Sequence, residues 1–350
     1  MKIVVFFVGC ILNLLALDLS AETNVASAMQ PPGVVVRTTF SNFDEPAARQ
    51  YYNSERATCG KAPLNRYSSN YRNGPSQDLA GDDSNSTSLP RGAYIVHGAD
   101  QKYGEWPSFA LLTCVVGELK YRCGGTLIGR RHILTAAHCM FVNNSDQTFL
   151  PQNVTVQLGK HNLTGTDRYE QVYNVSEICI SRFFRLNDTS PKEDFAVLTL
   201  ARNVDPLNDY VQAACLPSES EGVDTKRGNC WAVGAGASRI KEEGSKVETH
   251  WPDTVQKLQV VEISCRDWQY IGVKDNSGLH ICFSKMPHQR HGATCRGDSG
   301  GPILCNSGRD SWTVVGITSF GQRSCDGPFF SDVYTNVACL ESDIRSQCRL

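Results

Sequence analysis

Three short stretches of this sequence hold residue types that could do chemistry together. "ATCRGDSGGP" (293–302) places Asp298 and Ser299 in a glycine-rich bend behind Cys295. "ILTAAHC" places His138 directly after an apolar run, and "KEDFAVLTL" places Asp194 at the mouth of another. Each alone has a bland reading. Gly, Asp, Ser and Pro dominate turns, a lone histidine is more often structural, and an aspartate before a strand is usually a turn or cap. Together they supply a nucleophile, a base and an orienting acid. A serine hydroxyl is a poor nucleophile until a base takes its proton. The imidazole of His138 titrates near neutrality, so it can take that proton and return it to a leaving group. A buried Asp194 would orient the ring and stabilise its cation. Gly297 lets the backbone aim its N–H, with that of Ser299, at a developing oxyanion.

Such a set needs rigid elements to bring distant positions together. From Ile95 onward short β-rich runs recur between turns: "SFALLTCVV", "GGTLI", "HILTAA", "NVTVQLG", "DFAVLTL", "KLQVVEI" and "TVVGITSF". This spacing predicts an all-β barrel or sandwich. A last segment, "NVACLESDIRSQCRL", predicts a helix. Residues 22–94 have little apolar periodicity, and their Asn, Ser, Gly and Asp content suggests an extended linker. The first residues show Lys2 followed by roughly fifteen mostly apolar positions, short for a bilayer span and suited to a secretory signal. Cleavage is expected after Ala21, with Ala28 as the alternative. The expected organisation is therefore a signal peptide (1–21), a largely extended pro-segment (22–94) and one β domain (95–350).

A net charge of −2, with no basic run, argues against nucleic-acid or membrane-surface partners. Neither a glycine–lysine phosphate loop nor a dinucleotide fingerprint is present. Of fifteen cysteines only Cys10 falls in the expected signal, and the remaining fourteen point to disulfides formed in a secretory, extracellular setting. They are spread singly with no CxxC pair, which disfavours a zinc site; no metal and no cofactor is expected. Glycosylation acceptors occur at Asn85, Asn143, Asn153, Asn162, Asn174 and Asn187.

Residues 95–345 resemble the trypsin/chymotrypsin family of serine proteases. "IVHG", "EWPSF", "CGGTLI", "TAAHC", "LGKHN", "EDFAVL", "CLP", "GDSGGP", "GITSFG" and "VYTNV" fall in family order. The resemblance implies an all-β fold of two packed six-stranded antiparallel β-barrels with the active site between them. It implies peptide-bond hydrolysis through an acyl-enzyme, with His138 as general base, Asp194 as orienter, Ser299 as nucleophile, and Gly297 and Ser299 forming the oxyanion hole. It further implies a zymogen, in which cleavage frees the Ile95 amine to pair with Asp298. Relatives carry Arg or Lys before that isoleucine, whereas this chain has Tyr94, with Arg91 three residues upstream. Cleavage after Tyr94 by a chymotrypsin-like activator, or trimming after Arg91, is expected.

The same resemblance implies the pairs Cys123–Cys139, Cys230–Cys305, Cys265–Cys282 and Cys295–Cys325, and a tether from Cys59 to Cys215 that keeps the pro-segment attached. Cys114, Cys179, Cys339 and Cys348 remain, with three possible connectivities. The pro-segment lacks the six cysteines of a clip module. In the implied specificity pocket Ala293 is the floor, where trypsins have Asp, and Ser319 and Gly321 are walls. Asp332 stands where relatives usually have Gly and would project into the pocket. Its partner is a basic substrate side chain or an internal Arg296 or Arg323; an apolar or mixed preference stays open. Lys160 replaces a calcium-binding Glu of the family and would pair with Glu170. "MFVNNSDQTFLPQ" and "GASRIKEEGSKVETHWPDT" are expected as long polar loops rimming the cleft. The implied function is a secreted, selective endopeptidase of extracellular proteins in a cascade. Its partners would be protein substrates, an upstream activating protease and a serpin-type inhibitor. The alternatives are a broad digestive protease and a non-catalytic homologue that binds.

Overall fold

The computed structural model describes residues 59, 95, 98–143, 145–188, 190–205, 207–218, 222–243, 246–265, 277–289, 292–308, 311–321, 325 and 331–350. The expected signal peptide, nearly all of the pro-segment, Asn85, Arg91, Tyr94 and Arg323 lie outside them.

Two β-barrels carry the site. The first closes β2 (Phe109–Val116), β3 (Leu119–Leu127), β4 (His132–Thr135), β7 (Ala196–Leu200), β6 (Gln171–Ile180) and β5 (Val154–Leu158) in that spatial order. The second joins β11 (Gln256–Ile263), β12 (His280–Lys285), β15 (Ser331–Asn336), β14 (Trp312–Phe320), β13 (Pro302–Asn306) and β8 (Cys230–Gly234), and β8 pairs back onto β11. All ladders between barrel strands are antiparallel, as expected for six-stranded barrels of this class. β1 (Ala99–Asp100) adds to the outside of β11.

Alternation explains the clearest strands. In β5, Val154, Val156 and Leu158 point inward while Thr155 and Gln157 are partly exposed. β2 differs because five of its eight residues are buried, four of them in a row, so its sequence reads as a continuous apolar run. The helix α1 (Val337–Cys348) starts at Asn336, whose side chain accepts a hydrogen bond from the Cys339 N–H at 3.3 Å. Its buried face, Val337, Leu340 and Ile344, joins the apolar core that both barrels share, and Cys179–Cys348 pins its end to β6.

Two expectations need correction. The stretch "GASRIKEEGSKVETHWPDT" is not simply a loop, because β9 (Arg239–Glu243) and β10 (Lys246–His250) pair within it as an antiparallel ribbon. Nor do the four unassigned cysteines make two bridges among themselves. Cys179 takes Cys348, and Cys114 is a buried free thiol on β2, pushed up to about 12 by burial. The position serves the core as a small apolar side chain. Bridges with both ends among the described residues also include Cys59–Cys215, Cys123–Cys139, Cys230–Cys305, Cys265–Cys282 and Cys295–Cys325, and Cys339 is also disulfide-bonded.

Candidate active site

The site lies where the barrels meet. His138 follows β4 on a single 3-10 turn, Ala137–Met140, whose Cys139 is bonded to Cys123 of β3. Asp194 lies two residues before β7, the strand that pairs with β4. Adjacent strands of the first barrel therefore deliver both residues. His138 Nδ1 lies 2.7 Å from Asp194 Oδ2, and the His138 backbone N–H donates to Asp194 Oδ1 at 2.9 Å.

Asp194 is fully buried, so its charge needs donors. Besides the two from His138, the Ser319 hydroxyl donates to Oδ2 at 2.5 Å, and the Thr335 hydroxyl holds the Asp194 carbonyl at 3.0 Å. Burial alone would raise this acid, but the charge and hydrogen bond of His138, with Ser319, outweigh it and hold the carboxyl below its ordinary value. Burial alone would lower His138; the Asp194 charge and hydrogen bond outweigh that and raise it. This arrangement orients the ring and favours its cation. Ser319, expected as a pocket wall, directs its hydroxyl to Asp194, and Thr335, within "VYTNV", carries no sequence signal for this particular role.

Ser299 is held by its backbone. Its carbonyl accepts from the Gly124 N–H at 2.8 Å, while the Gly300 N–H donates to Thr318 at 2.8 Å. Gly124 belongs to the first barrel and Thr318 to the second, so the bend is fastened to both. Gly300 has φ +77°, and a methyl group there would come within 2.2 Å of the Thr135 hydroxyl oxygen. The crowding explains the glycine. Cys139 Sγ lies 4.0 Å from His138 Nε2 and 3.5 Å from the Ser299 carbonyl, which places the two segments side by side. Gly297 takes φ +96° beneath the Trp251 indole, a residue without a sequence signal. Among the described residues neither the Gly297 nor the Ser299 N–H donates to another group, leaving both available to an anion.

Asp298 points the other way, into the second barrel. It is fully buried; Oδ1 accepts from Gly236 N–H at 2.7 Å and Oδ2 from Cys295 N–H at 2.8 Å. Burial pushes it up to about 7 against those two bonds, with the Asp332 charge adding to the rise. Ile95 is also fully buried, in the apolar cluster of that barrel with Leu258, Phe283 and Ile303. Ala293 is buried, and Gly321 faces Asp332, whose carboxylate is held by Thr294. Arg296 is exposed and is not the internal partner of Asp332. Asn143, Asn174 and Asn187 are exposed, and Asn153 and Asn162 are partly so.

One cation is built into the neighbouring loop. Lys160 Nζ lies 2.7 Å from Glu170 Oε2 and donates to the Gly165 carbonyl at 2.6 Å, with Asp167 at 3.9 Å. The lysine side chain is 5% exposed and that of Glu170 6%. Burial would raise Glu170, but Lys160 and Gln157 hold it below its ordinary value. Its ion-pair contribution to stability is thus present at neutral pH and fades as pH falls through the lowered value. Lys160→Met should cost about 3–5 kcal/mol in urea unfolding by stranding Glu170. A chelator should leave the unfolding midpoint of the unaltered protein in place; a chelator-sensitive midpoint would mean that the ammonium does not fill the loop.

The Trypsin family model matches residues 95–342. The chain is 32% identical over 254 residues to chymotrypsin-like elastase family member 1 of Rattus norvegicus, covering 71% of this chain and 88% of the relative. It is 31% identical over 250 residues to the Canis lupus familiaris protein of that name, covering 70% and 89%. Serine protease 41 of Homo sapiens is 30% identical over 256 residues, covering 70% and 74%.

Proposed function

The chain belongs to the trypsin family and is a serine-type endopeptidase, and from that premise we propose that it is a secreted zymogen whose His138, Asp194 and Ser299 hydrolyse extracellular proteins. His138 Nε2 takes the Ser299 proton as Oγ attacks the peptide carbonyl. Asp194 steadies the resulting imidazolium through Nδ1, and the Gly297 and Ser299 N–H groups receive the oxyanion. His138 returns the proton to the departing amine, leaving an acyl-enzyme. A water, deprotonated by the same imidazole, then frees Ser299. The 2.7 Å contact between His138 and the fully buried Asp194 carries this reading.

Activation occurs by cleavage after Tyr94, or by trimming after a cut at Arg91. The new Ile95 ammonium then pairs with Asp298. Two features support this: Asp298 is buried among neutral donors with no cation among the described residues, and Ile95 is already buried in the same barrel. The Cys59–Cys215 bridge keeps the pro-segment attached after the cut. An activating protease upstream and a serpin-type inhibitor are the corresponding partners of a cascade enzyme, and Asp332 is the pocket group for basic side chains. The elastase names of two relatives favour a second reading, an apolar preference of broader range.

A fluorophosphonate probe tests the core of the proposal. It should label Ser299 in protein beginning at Ile95 and leave the uncleaved chain unlabelled. Equal labelling before and after cleavage would defeat the zymogen reading, and no labelling of either would defeat the catalytic one.

A further inference from the structure

Asp332 lies on β15 and is 7% exposed. Its Oδ2 accepts from the Thr294 N–H at 2.7 Å and the Thr294 hydroxyl at 2.8 Å, with the Tyr334 hydroxyl 3.5 Å away. Oδ1 faces Gly321, where an added methyl would lie 2.7 Å from it. Phe283 is the neighbour on β12, and the preceding bend contributes Ala293. The titratable groups facing Asp332 are the Tyr334 hydroxyl and the Asp298 carboxylate. No cation among the described residues stabilises it. Among the described residues its surroundings are therefore neutral or acidic, and none of them gives an ionised form a counter-charge, which a ligand could bring.

We propose that Asp332 makes substrate choice change with pH: as a carboxylate it takes a lysine or arginine side chain between Ala293 and Gly321, and as a neutral acid it admits an apolar one. The inference rests on the protease reading above. A basic side chain supplies a positive charge that no described residue brings to this low-dielectric slot. Protonation removes the cost of covering a carboxylate with an apolar group, whose own burial then drives binding. Thr294 is a positioning residue: both of its donors go to Oδ2, which leaves Oδ1 for the ligand. Burial pushes Asp332 up to about 6 against these hydrogen bonds, so the exchange falls within the working range of such an enzyme.

The test uses the processed enzyme and two peptides that differ only in arginine or leucine before the cut. The ratio of their kcat/KM values between pH 5 and pH 8 cancels the ionisation of His138 and of the Ile95–Asp298 pair, which both substrates share. With Asp332 titrating near 6, the carboxylate form rises about tenfold over that range while the neutral form falls, so the arginine-to-leucine ratio should rise well over tenfold, up to about a thousandfold. Asp332→Asn should give a flat ratio. Thr294→Val, which deletes a hydrogen bond to the charged form, should move the midpoint to higher pH, and it decides the matter if the asparagine variant does not fold. A flat ratio in the unaltered enzyme overturns the inference. So does a rise that persists in Asp332→Asn. Absence of Ser299-dependent hydrolysis of both peptides overturns the protease reading as well, so the two failures are distinguishable.

Discussion

Ser299→Ala is expected to lower kcat for peptide hydrolysis by on the order of 10⁴–10⁶-fold. Alanine removes the attacking oxygen and nothing that holds the bend. The bend is fastened by Gly124 N–H on the Ser299 carbonyl and by Gly300 N–H on Thr318, both through the backbone. Thermal unfolding should therefore shift by no more than about 1 kcal/mol. His138→Ala should cost a comparable factor. The double variant should cost little more than either one, because the two residues act as a unit. Residual activity comes from the oxyanion donors and substrate binding. If Ser299→Ala kept as much as about a hundredth of the activity, the nucleophile would be elsewhere.

Asp298→Asn should be the next most damaging change. Asparagine keeps the volume that Gly234 and Gly236 leave for this side chain, where a methyl on either glycine would come within 2.0 and 2.7 Å of Asp298 Oδ1. What it loses is the negative charge for the Ile95 ammonium. Removing one partner of a buried ion pair costs about 3–5 kcal/mol, which corresponds to a fall of roughly 10²–10³-fold or more in the active population. Cleavage must be held equal between the proteins compared. Tyr94→Arg, processed with trypsin in both backgrounds, achieves this and gives the same Ile95 start. The pH dependence follows from the amine. Its proton affinity is raised by the pair, so the active form persists below the free-amine value of about 8 and is lost as pH rises through the raised one. Full activity of processed Asp298→Asn, or of a protein beginning at Gly92, would show that the ion pair is not the switch.

The lysine in the 160–170 loop illustrates a different economy of charge. An internal ammonium does there what a bound cation does elsewhere, and it cannot be removed by a chelator. Its contacts with Glu170 and the Gly165 carbonyl are local in sequence, ten and five residues away. That is why the pairing is legible in the sequence alone. Asp332 is the opposite case. Its position in the chain suggests a pocket residue, but the grip of Thr294, 38 residues away, and the lack of a facing cation among the described residues come only with the fold.

The legible parts of this protein share a physical origin. β5 could be recognised because one face is buried and the other is not, which writes a period of two into five residues. β6 alternates more weakly and β12 buries only its two central residues, so neither stood out as a strand. The β9–β10 ribbon was hidden because its polar sequence matches that of a loop. His138, Asp194 and Ser299 were visible because each sits in a short stretch whose turn chemistry is local.

Residue order and type determined by themselves the chemistry available to the chain, the β class of its domain and which side chains to suspect. Only the tertiary structure decided that Ser319, 125 residues from Asp194, steadies it, and that Cys114 stays a free thiol within the core. It also decided that Asp298 and Asp332 share one barrel without a described cation. Spacing and propensity act over a few residues. Burial, and with it the energy of a charge, depends on segments that meet only when both barrels have closed.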